Sequence, residues 1–277
     1  MISGAMSHIS TKTAICFSFA LISMVVMAAD PAQAASVGSP QTQGKGKIAV
    51  GAEWSYIFNR DLSFKKASRP SGHDTDQPLN FKISRGRNVV AKASYGLFDS
   101  LDIYIKLGAA NYNLQGDVFV GDTRRVGESL SSPGDSFLYG AGFKWARELK
   151  KGWIIGCDAQ YLTSNQKLDF SATNLISGAV STATYLDCRM QEWHIAPYIA
   201  KKIANFTPYL GARYSDFRMD QSNPNDPNRW NNLVFGATYN VGVFTGLDWN
   251  LGKNFKLNVE GRFIDETAIS AGLAYGF

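Results

Sequence analysis

The end of the chain alternates apolar and polar side chains with a period of two. A first run carries its apolar residues from Phe255 to Phe263, and a second run carries them from Ile269 to Phe277. Because successive side chains of a β-strand point to opposite faces, each run predicts a strand with one apolar face. Residues 264–267 join the two runs, so together they predict an antiparallel hairpin.

The same alternation recurs in eight earlier segments, which makes ten in all. These segments are 47–58, 88–98, 101–112, 137–147, 153–163, 190–201, 206–216 and 234–250. Most of them are close to the ~9–11 residues that a tilted strand needs to cross a bilayer. The last of the eight is long enough to contain a bend or a further strand.

The connections alternate between short and long. Short turns lie around residues 98–100, 148–152, 203–205 and 251–254, and the predicted long loops are 59–87, 113–136, 164–189 and 217–233. Short turns at one end and long loops at the other are typical of membrane barrels. Many aromatic residues also fall near segment ends, where rings favour the membrane–water interface.

The final strand resembles the C-terminal signature of bacterial outer-membrane β-barrels. Leu273, Tyr275 and Phe277 carry this resemblance. It implies recognition by the barrel-assembly machinery and an integral place in the bacterial cell outer membrane after export to the periplasm. The whole pattern is similar to the small OmpA-type and opacity-type barrels. We therefore expect an all-β fold, a single closed antiparallel transmembrane β-barrel of ten strands, with eight or twelve as the alternatives.

The sequence predicts three regions along the chain. Residues 1–34 have a basic start, an apolar run and the small-residue site Ala32-Gln33-Ala34, and they predict a cleaved secretory signal peptide. An uncleaved anchor is the alternative, which the short apolar run disfavours. Residues 35–46 predict a flexible leader, and residues 47–277 predict the barrel.

The inward-facing positions collect six acidic and six basic residues, together with His194. They are Glu53, Lys92, Asp102, Lys106, Lys144, Asp158, Glu192, Arg213, Asp248, Lys256, Glu260 and Arg262. Because buried charges must be paired, we expect a lumen filled by ion pairs and water. A conducting path along the same residues is the alternative.

Strand parity also predicts individual cross-strand pairs. In the last hairpin it places Arg262 opposite Ser270, and across the preceding turn it places Asp248 opposite Lys256 as an ion pair. On this basis, Asp248→Ala should destabilise the barrel rather than change its specificity.

The sequence offers few candidates for catalysis. His73 lies among Ser, Gly and Asp residues in the first long loop, which is typical of a turn rather than a triad. His194 has no second His or Cys beside it that would favour a metal site. Cys157 and Cys188 have opposite parity, which argues against a disulfide between them. We expect no catalytic residue, no metal and no cofactor.

The first long loop is basic. Residues 59–87 hold seven Lys or Arg and three Asp, and Lys82, Arg85 and Arg87 fall just above the second strand. Phosphates of lipopolysaccharide lie at this level and bind Arg and Lys well. The alternative is a loop that is basic only for solubility.

We therefore expect a structural or surface-interaction barrel rather than an enzyme. A narrow passive porin and an outer-membrane hydrolase remain as alternatives. The expected partners are outer-membrane lipid, lipopolysaccharide and the barrel-assembly machinery, and the chain is expected to be a monomer. The basic residues are spread over loops and lumen, so nucleic acid is not an expected partner.

Overall fold

A computed structural model describes residues 36–67, 79–120, 123–222 and 233–277. The predicted signal peptide and His73 lie outside these residues. The strands are β1 (Ile48–Ala67), β2 (Leu79–Phe98), β3 (Leu101–Val120), β4 (Thr123–Ser131), β5 (Ser136–Glu148), β6 (Trp153–Asn174), β7 (Val180–Lys201), β8 (Phe206–Ser222), β9 (Leu233–Ala237), β10 (Val241–Asn250), β11 (Phe255–Phe263) and β12 (Thr267–Gly276). Among the described residues, no helix has the length and apolar character needed to cross a bilayer.

Ten of these strands form a closed antiparallel ring. The hydrogen-bonded order is β1-β2-β3-β5-β6-β7-β8-β10-β11-β12, and β12 returns to β1 from the pair Ala49–Gly276 to the pair Asn59–Thr267. Closure gives each strand a hydrogen-bonding neighbour on both sides, which a bilayer requires. The structure therefore confirms the predicted all-β barrel of ten strands.

The outer wall of this ring is an apolar band. Its side chains remain exposed, as Ile105 (52%) and Leu210 (58%) illustrate. Aromatic rings border the band at both ends, where Phe206 stacks on Trp249 at 5.5 Å and Trp193 lies 5.4 Å from Tyr214. Lipid is the solvent that suits such a surface. We call the end with the short turns the periplasmic end, and the opposite one the outer end.

A second and narrower ring continues the barrel beyond the apolar band. Strand β4 pairs with β3 and β6 and extends the line of β5, while β9 pairs with β8 and β1 and extends the line of β10. Hairpin β11–β12 ends below this level, so the upper ring has eight strands: β1, β2, β3, β4, β6, β7, β8 and β9. The break between β9 and β10 is the bend that the long eighth segment suggested.

The prediction of long loops is therefore wrong for the described residues, which are mostly strand. Strand β6 runs to Asn174 and β7 begins at Val180, so only a tight turn remains of the predicted loop 164–189. The other three predicted loops are also largely strand in their described parts. The upper ring accounts for the added strand length, since its residues lie above the membrane and still pair.

The apolar face switches sides where the barrel leaves the membrane. On β7, Trp193 and Ile195 face outward below the switch, whereas Met190, Cys188 and Leu186 place their side chains inward above it. Water surrounds the upper ring, so its polar residues face out and its apolar ones must fill the interior. The resulting core includes Leu62, Phe81, Ile83, Tyr112, Leu114, Leu130, Leu168, Phe170, Leu186, Cys188, Met190, Phe217, Met219 and Phe235.

This inversion predicts opposite outcomes for two neighbouring substitutions. Leu168 is fully buried in the upper core, and Lys167 is exposed on the outer wall. Leu168→Glu should bury an unpaired carboxylate and destabilise the upper ring, whereas Lys167→Glu should change the unfolding midpoint little. Limited proteolysis and urea unfolding of the refolded barrel measure both. Equal sensitivity of the two variants would contradict an apolar interior.

Candidate functional site in the lumen

The leader lies inside the barrel. Residues 36–46 are placed within the periplasmic half of the lumen, and Ser36, Val37 and Gly38 are buried there. The expectation of a flexible leader is therefore wrong for these residues. Charged side chains on the inner wall bind the leader backbone, and these contacts fix it in place.

Carboxylates and ammonium groups of the wall bind this backbone from several sides. Glu260 accepts hydrogen bonds from Val37 N at 3.2 Å and from Gly38 N at 3.3 Å. Lys144 Nζ donates to the carbonyl oxygens of Val37, at 2.6 Å, and of Ser39. Lys106 Nζ reaches the Ser36 carbonyl at 3.2 Å. The leader thus satisfies groups that would otherwise be buried without partners.

Closer to the periplasmic end, two further carboxylates bind the leader. Asp248 accepts from Ser39 Oγ at 2.8 Å, and Asp102 accepts from Gln43 N at 2.9 Å. The passage is tight, because a Cβ built on Gly96 would lie 1.9 Å from the Gly44 carbonyl oxygen. Only glycine at position 96 lets the leader pass the β2 wall.

A lower charge cluster surrounds the deepest part of the leader. Glu53 pairs with Lys106 at 2.7 Å and with Lys92 at 3.2 Å, and it accepts from Ser36 Oγ at 2.9 Å. Lys92 Nζ also lies 4.2 Å from the centre of the Tyr104 ring, a cation–π contact. Each charge in this cluster therefore has more than one partner.

Asp158 lies at the centre of the same cluster. Its Oδ1 accepts from Tyr104 Oη at 2.8 Å and lies 3.2 Å from His194 Nε2. Its Oδ2 accepts no hydrogen bond, and Lys144 Nζ is 3.7 Å away. His194 is only 1% exposed, so a substrate has no route to its ring.

An upper charge cluster closes the lumen at the level where the ring narrows. Arg60, Arg213 and Arg262 meet four carboxylates there, at distances that include 3.1 Å for Arg60–Glu192, 2.8 Å for Arg213–Glu266 and 2.8 Å for Arg262–Glu260. Asp265 also pairs with Arg213. The named arginines and carboxylates are all at most 4% exposed.

The sequence does not predict three members of the upper cluster as lumen residues. Arg60 was assigned to a loop, but it continues β1 and faces the lumen. Asp265 and Glu266 lie in the β11–β12 turn, which folds inward after Ile264 adopts a positive φ of 82°. Strict parity from Phe58 would place Arg60 outward, and the bulge between Ile57 and Asn59 is what turns it inward. The inward turn at 264–266 likewise has no period-two signal.

The two predicted cross-strand pairs are each wrong by two residues. Asp248 lies opposite Asn258, not Lys256, and Arg262 lies opposite Ala268, not Ser270. The turn at 264–266 sets the register of β11 with β12, and it is two residues shorter than the predicted pair requires. The turn at 251–254 sets the register of β10 with β11. Asp248 holds Ser39 and Asn258 instead of forming the expected cross-strand pair.

The structure brings the predicted lumen residues into these two clusters and the leader contacts. Lys256 Nζ donates to Gln41 Oε1 at 3.0 Å, so Lys256 also binds the leader. Cys157 and Cys188 are both free, on opposite faces as their parity indicates. Within the described ranges, no group of three or more His, Cys, Asp or Glu side chains could hold a metal ion.

The described lumen is filled along its length. From the periplasmic end outward, the leader, the two charge clusters and the apolar core occupy the lumen in succession. Charged groups within it are bound to one another or to the backbone and side chains of the leader. A solute would have to break these contacts and then enter an apolar interior.

We predict that Glu260→Ala destabilises the barrel by about 3–5 kcal/mol, because it leaves Arg262 buried with a lost partner and removes the acceptor for Val37 and Gly38. Urea unfolding measures the change. Glu148→Ala is the control. Glu148 is exposed, and its ion pair with Lys202, at 3.8 Å, is long and contributes little to stability. Similar midpoints for both variants would refute the role of Glu260.

We predict that Gly242→Ala also destabilises the barrel. A Cβ there would lie 1.9 Å from Asp265 Oδ1, so Gly242→Ala must displace the inward turn from Arg213. The expected loss is about 1–3 kcal/mol in the free energy of unfolding. Gly134→Ala is the matched control, because nothing lies within 4 Å of its Cβ position. An unchanged melting temperature for Gly242→Ala would contradict the inward placement of Asp265.

Comparisons with known proteins find fold likeness alone. No family model and no curated protein matches the chain. Among solved structures, it is similar to the outer membrane protease OmpT from Escherichia coli, with 11% identity over 88% of this chain and 99% of that chain and a TM-score of 0.48. It is also similar to the outer membrane protein OprG from Pseudomonas aeruginosa, with 7% identity over 86% and 99% and a TM-score of 0.41.

A third similar structure is the translocator domain of the autotransporter NalP from Neisseria meningitidis. The identity is 8% over 96% of each chain, and the TM-score is 0.43. Two of the three are named as outer membrane proteins. With identities this low, these likenesses assign no role to the chain.

Proposed function

We propose that this chain is a closed barrel of the bacterial outer membrane that presents a rigid structure at the cell surface. The observation that carries the proposal is the apolar core of the upper ring, which includes Leu114, Leu168 and Met219. Such a core holds eight strands together beyond the membrane, where polar residues cover the outside. Strand β6 continues 13 residues past Tyr161, which corresponds to roughly 30 Å above the aromatic border for a tilted strand.

The filled lumen favours this role over that of a passive porin. A conducting path needs a continuous aqueous route, and the leader, the charge clusters and the apolar core occupy the described lumen in turn. Buried charges bound in this way also cost too much to separate for an ion to pass them easily. The porin alternative is therefore the weaker proposal.

The geometry also favours a non-enzymatic role. A hydrolase would need a nucleophile or base that a substrate can reach, but His194 is enclosed between Asp158 and Gln160. His73 lies outside the described residues. The proposal therefore assigns no catalytic residue to the chain.

A basic column on β2 supports contact with lipopolysaccharide. Lys82 and Arg85 are exposed on the outer wall, and Arg87 lies opposite Tyr56 in the strand register. Tyr56 packs on Phe58 at 4.7 Å at the upper border of the apolar band. Cationic groups directly above an aromatic border are at the level of lipid phosphates, and Arg binds phosphate through two parallel hydrogen bonds. The barrel-assembly machinery would be the partner of the terminal strand, through Leu273, Tyr275 and Phe277.

We predict that the triple variant Lys82→Glu, Arg85→Glu, Arg87→Glu retains at least tenfold less lipopolysaccharide than the parent barrel. Co-purification of radiolabelled lipopolysaccharide with the refolded barrel measures this. The control carries the same charge change at the exposed periplasmic residues Lys150, Lys202 and Lys253. If the triple variant and its control retain equal amounts of lipopolysaccharide, the proposed contact with phosphate is wrong.

A further inference from the structure

The periplasmic end of the barrel is strongly basic. Outside the lumen, its turns and strand ends carry eight exposed or half-buried Lys or Arg side chains, and only two acidic side chains lie among them in the described residues. The basic residues are Lys45, Lys47, Arg147, Lys150, Lys151, Lys201, Lys202 and Lys253, and the acidic ones are Asp99 and Glu148. The whole sequence has a formal net charge of +5, so the rest of the chain is close to neutral in sum.

Five of these basic side chains form one patch on two neighbouring hairpins. They are Arg147, Lys150 and Lys151 from the β5–β6 hairpin and Lys201 and Lys202 from the β7–β8 hairpin. Hydrogen bonds join the two turns, since Lys202 N donates to the Gly152 carbonyl at 2.8 Å and Lys201 Nζ donates to the Lys151 carbonyl. We call these five residues the periplasmic basic patch.

The patch has little internal compensation for its charge. Its one acidic neighbour, Glu148, lies 3.8 Å from Lys202 Nζ, and the side chains of Lys202 and Glu148 are 46% and 55% exposed. Such an exposed pair contributes little to stability. Among the described residues, no carboxylate forms an ion pair with the other four cations of the patch. Four positive charges therefore remain available to an anionic ligand.

Part of the patch faces the lipid. Arg147 lies opposite Ile155 and Lys201 lies opposite Trp153 in the strand register. Ile155 and Trp153 are exposed on the outward face of the apolar band. Lys201 Nζ also lies 5.0 Å from the centre of the Trp153 ring, a cation–π contact. Both cations therefore continue the lipid-facing wall at its periplasmic border.

This position favours a lipid over a soluble acidic polymer of the periplasm. Trp rings at the end of an apolar band lie at the level of the lipid headgroups, and long cationic side chains extend from the apolar wall to that level. Lys and Arg side chains near a membrane surface attract anionic lipids. A soluble polymer would approach the barrel from below, whereas Arg147 and Lys201 lie on the side of the barrel that lipid covers.

We propose that the periplasmic basic patch binds the headgroups of anionic phospholipids in the periplasmic leaflet of the membrane. Arg147 and Lys201 contact the lipid phosphate beside Trp153, and the three lysines of the turns strengthen the positive field below it. The inference goes beyond the proposed surface role, because it concerns the opposite end of the barrel from the lipopolysaccharide contact. It rests only on the placement of the barrel in a membrane.

Native mass spectrometry of the refolded barrel tests this proposal. The barrel is released from micelles that contain equal amounts of phosphatidylglycerol and phosphatidylcholine with identical acyl chains. We expect it to retain about tenfold more phosphatidylglycerol than phosphatidylcholine. The triple variant Arg147→Gln, Lys150→Gln, Lys201→Gln should retain the two lipids equally, and a heat-modifiable band on electrophoresis shows that this variant is folded.

The matched control removes the same charges from the outer wall of the upper ring. It carries Lys66→Gln, Lys167→Gln and Arg189→Gln, all at exposed positions, and it should keep the lipid preference of the parent. A parent without a preference, or a triple variant with the preference of the parent, would overturn the proposal. Retention of soluble peptidoglycan fragments in place of phosphatidylglycerol would also overturn it. The samples contain no lipopolysaccharide, so failure here is separate from failure of the surface role.

Discussion

The structure depends on one constraint, which is that charges enclosed by a membrane barrel must find partners inside it. Lipid surrounds the wall, so neither water nor bulk ions reach Arg60, Arg213 or Asp158 from the side. The chain meets this constraint in two ways. Wall residues pair with one another where the ring narrows, and elsewhere they bind the backbone of a leader that the same chain provides. Removing one partner leaves the other charge buried, which is why single substitutions should affect the whole barrel.

The change of surroundings along the barrel axis explains the remaining architecture. Within the membrane, apolar side chains face lipid and polar ones face the lumen. Beyond it, water surrounds the wall, and the strands that continue place polar residues outward and apolar residues inward. Their pairing passes through bulges such as the one between Ile83 and Arg85. Hairpin β11–β12 stops at this boundary, and its turn carries Asp265 and Glu266 inward as β9 closes onto β1. The inward turn therefore lies at the transition between the two rings.

The sequence predicted the membrane part well, because alternation, short turns and the terminal Phe277 are local signals. The inward parity of residues such as Glu53, Lys144 and Glu260 followed from the same period. The sequence predicts loops where the upper ring lies, because the apolar face of that ring is reversed and no longer matches a lipid-facing pattern. The leader was missed for a different reason. Residues 36–46 have neither charge pattern nor periodicity, and only the wall that surrounds them shows where they lie. The predicted register differs by two residues in both β10–β11 and β11–β12, since each register depends on the conformation of its own turn.

Single-channel conductance of the refolded chain 35–277 in a planar bilayer tests the central claim, that the lumen is closed, most directly. A heat-modifiable band on electrophoresis first shows that the barrel is folded. The account predicts a silent bilayer for this chain, and also for a chain that starts at Lys47, because the upper charge cluster and the apolar core remain in place. Stable discrete current steps from the folded chain 35–277, altered in ion selectivity by Lys92→Glu, would contradict it.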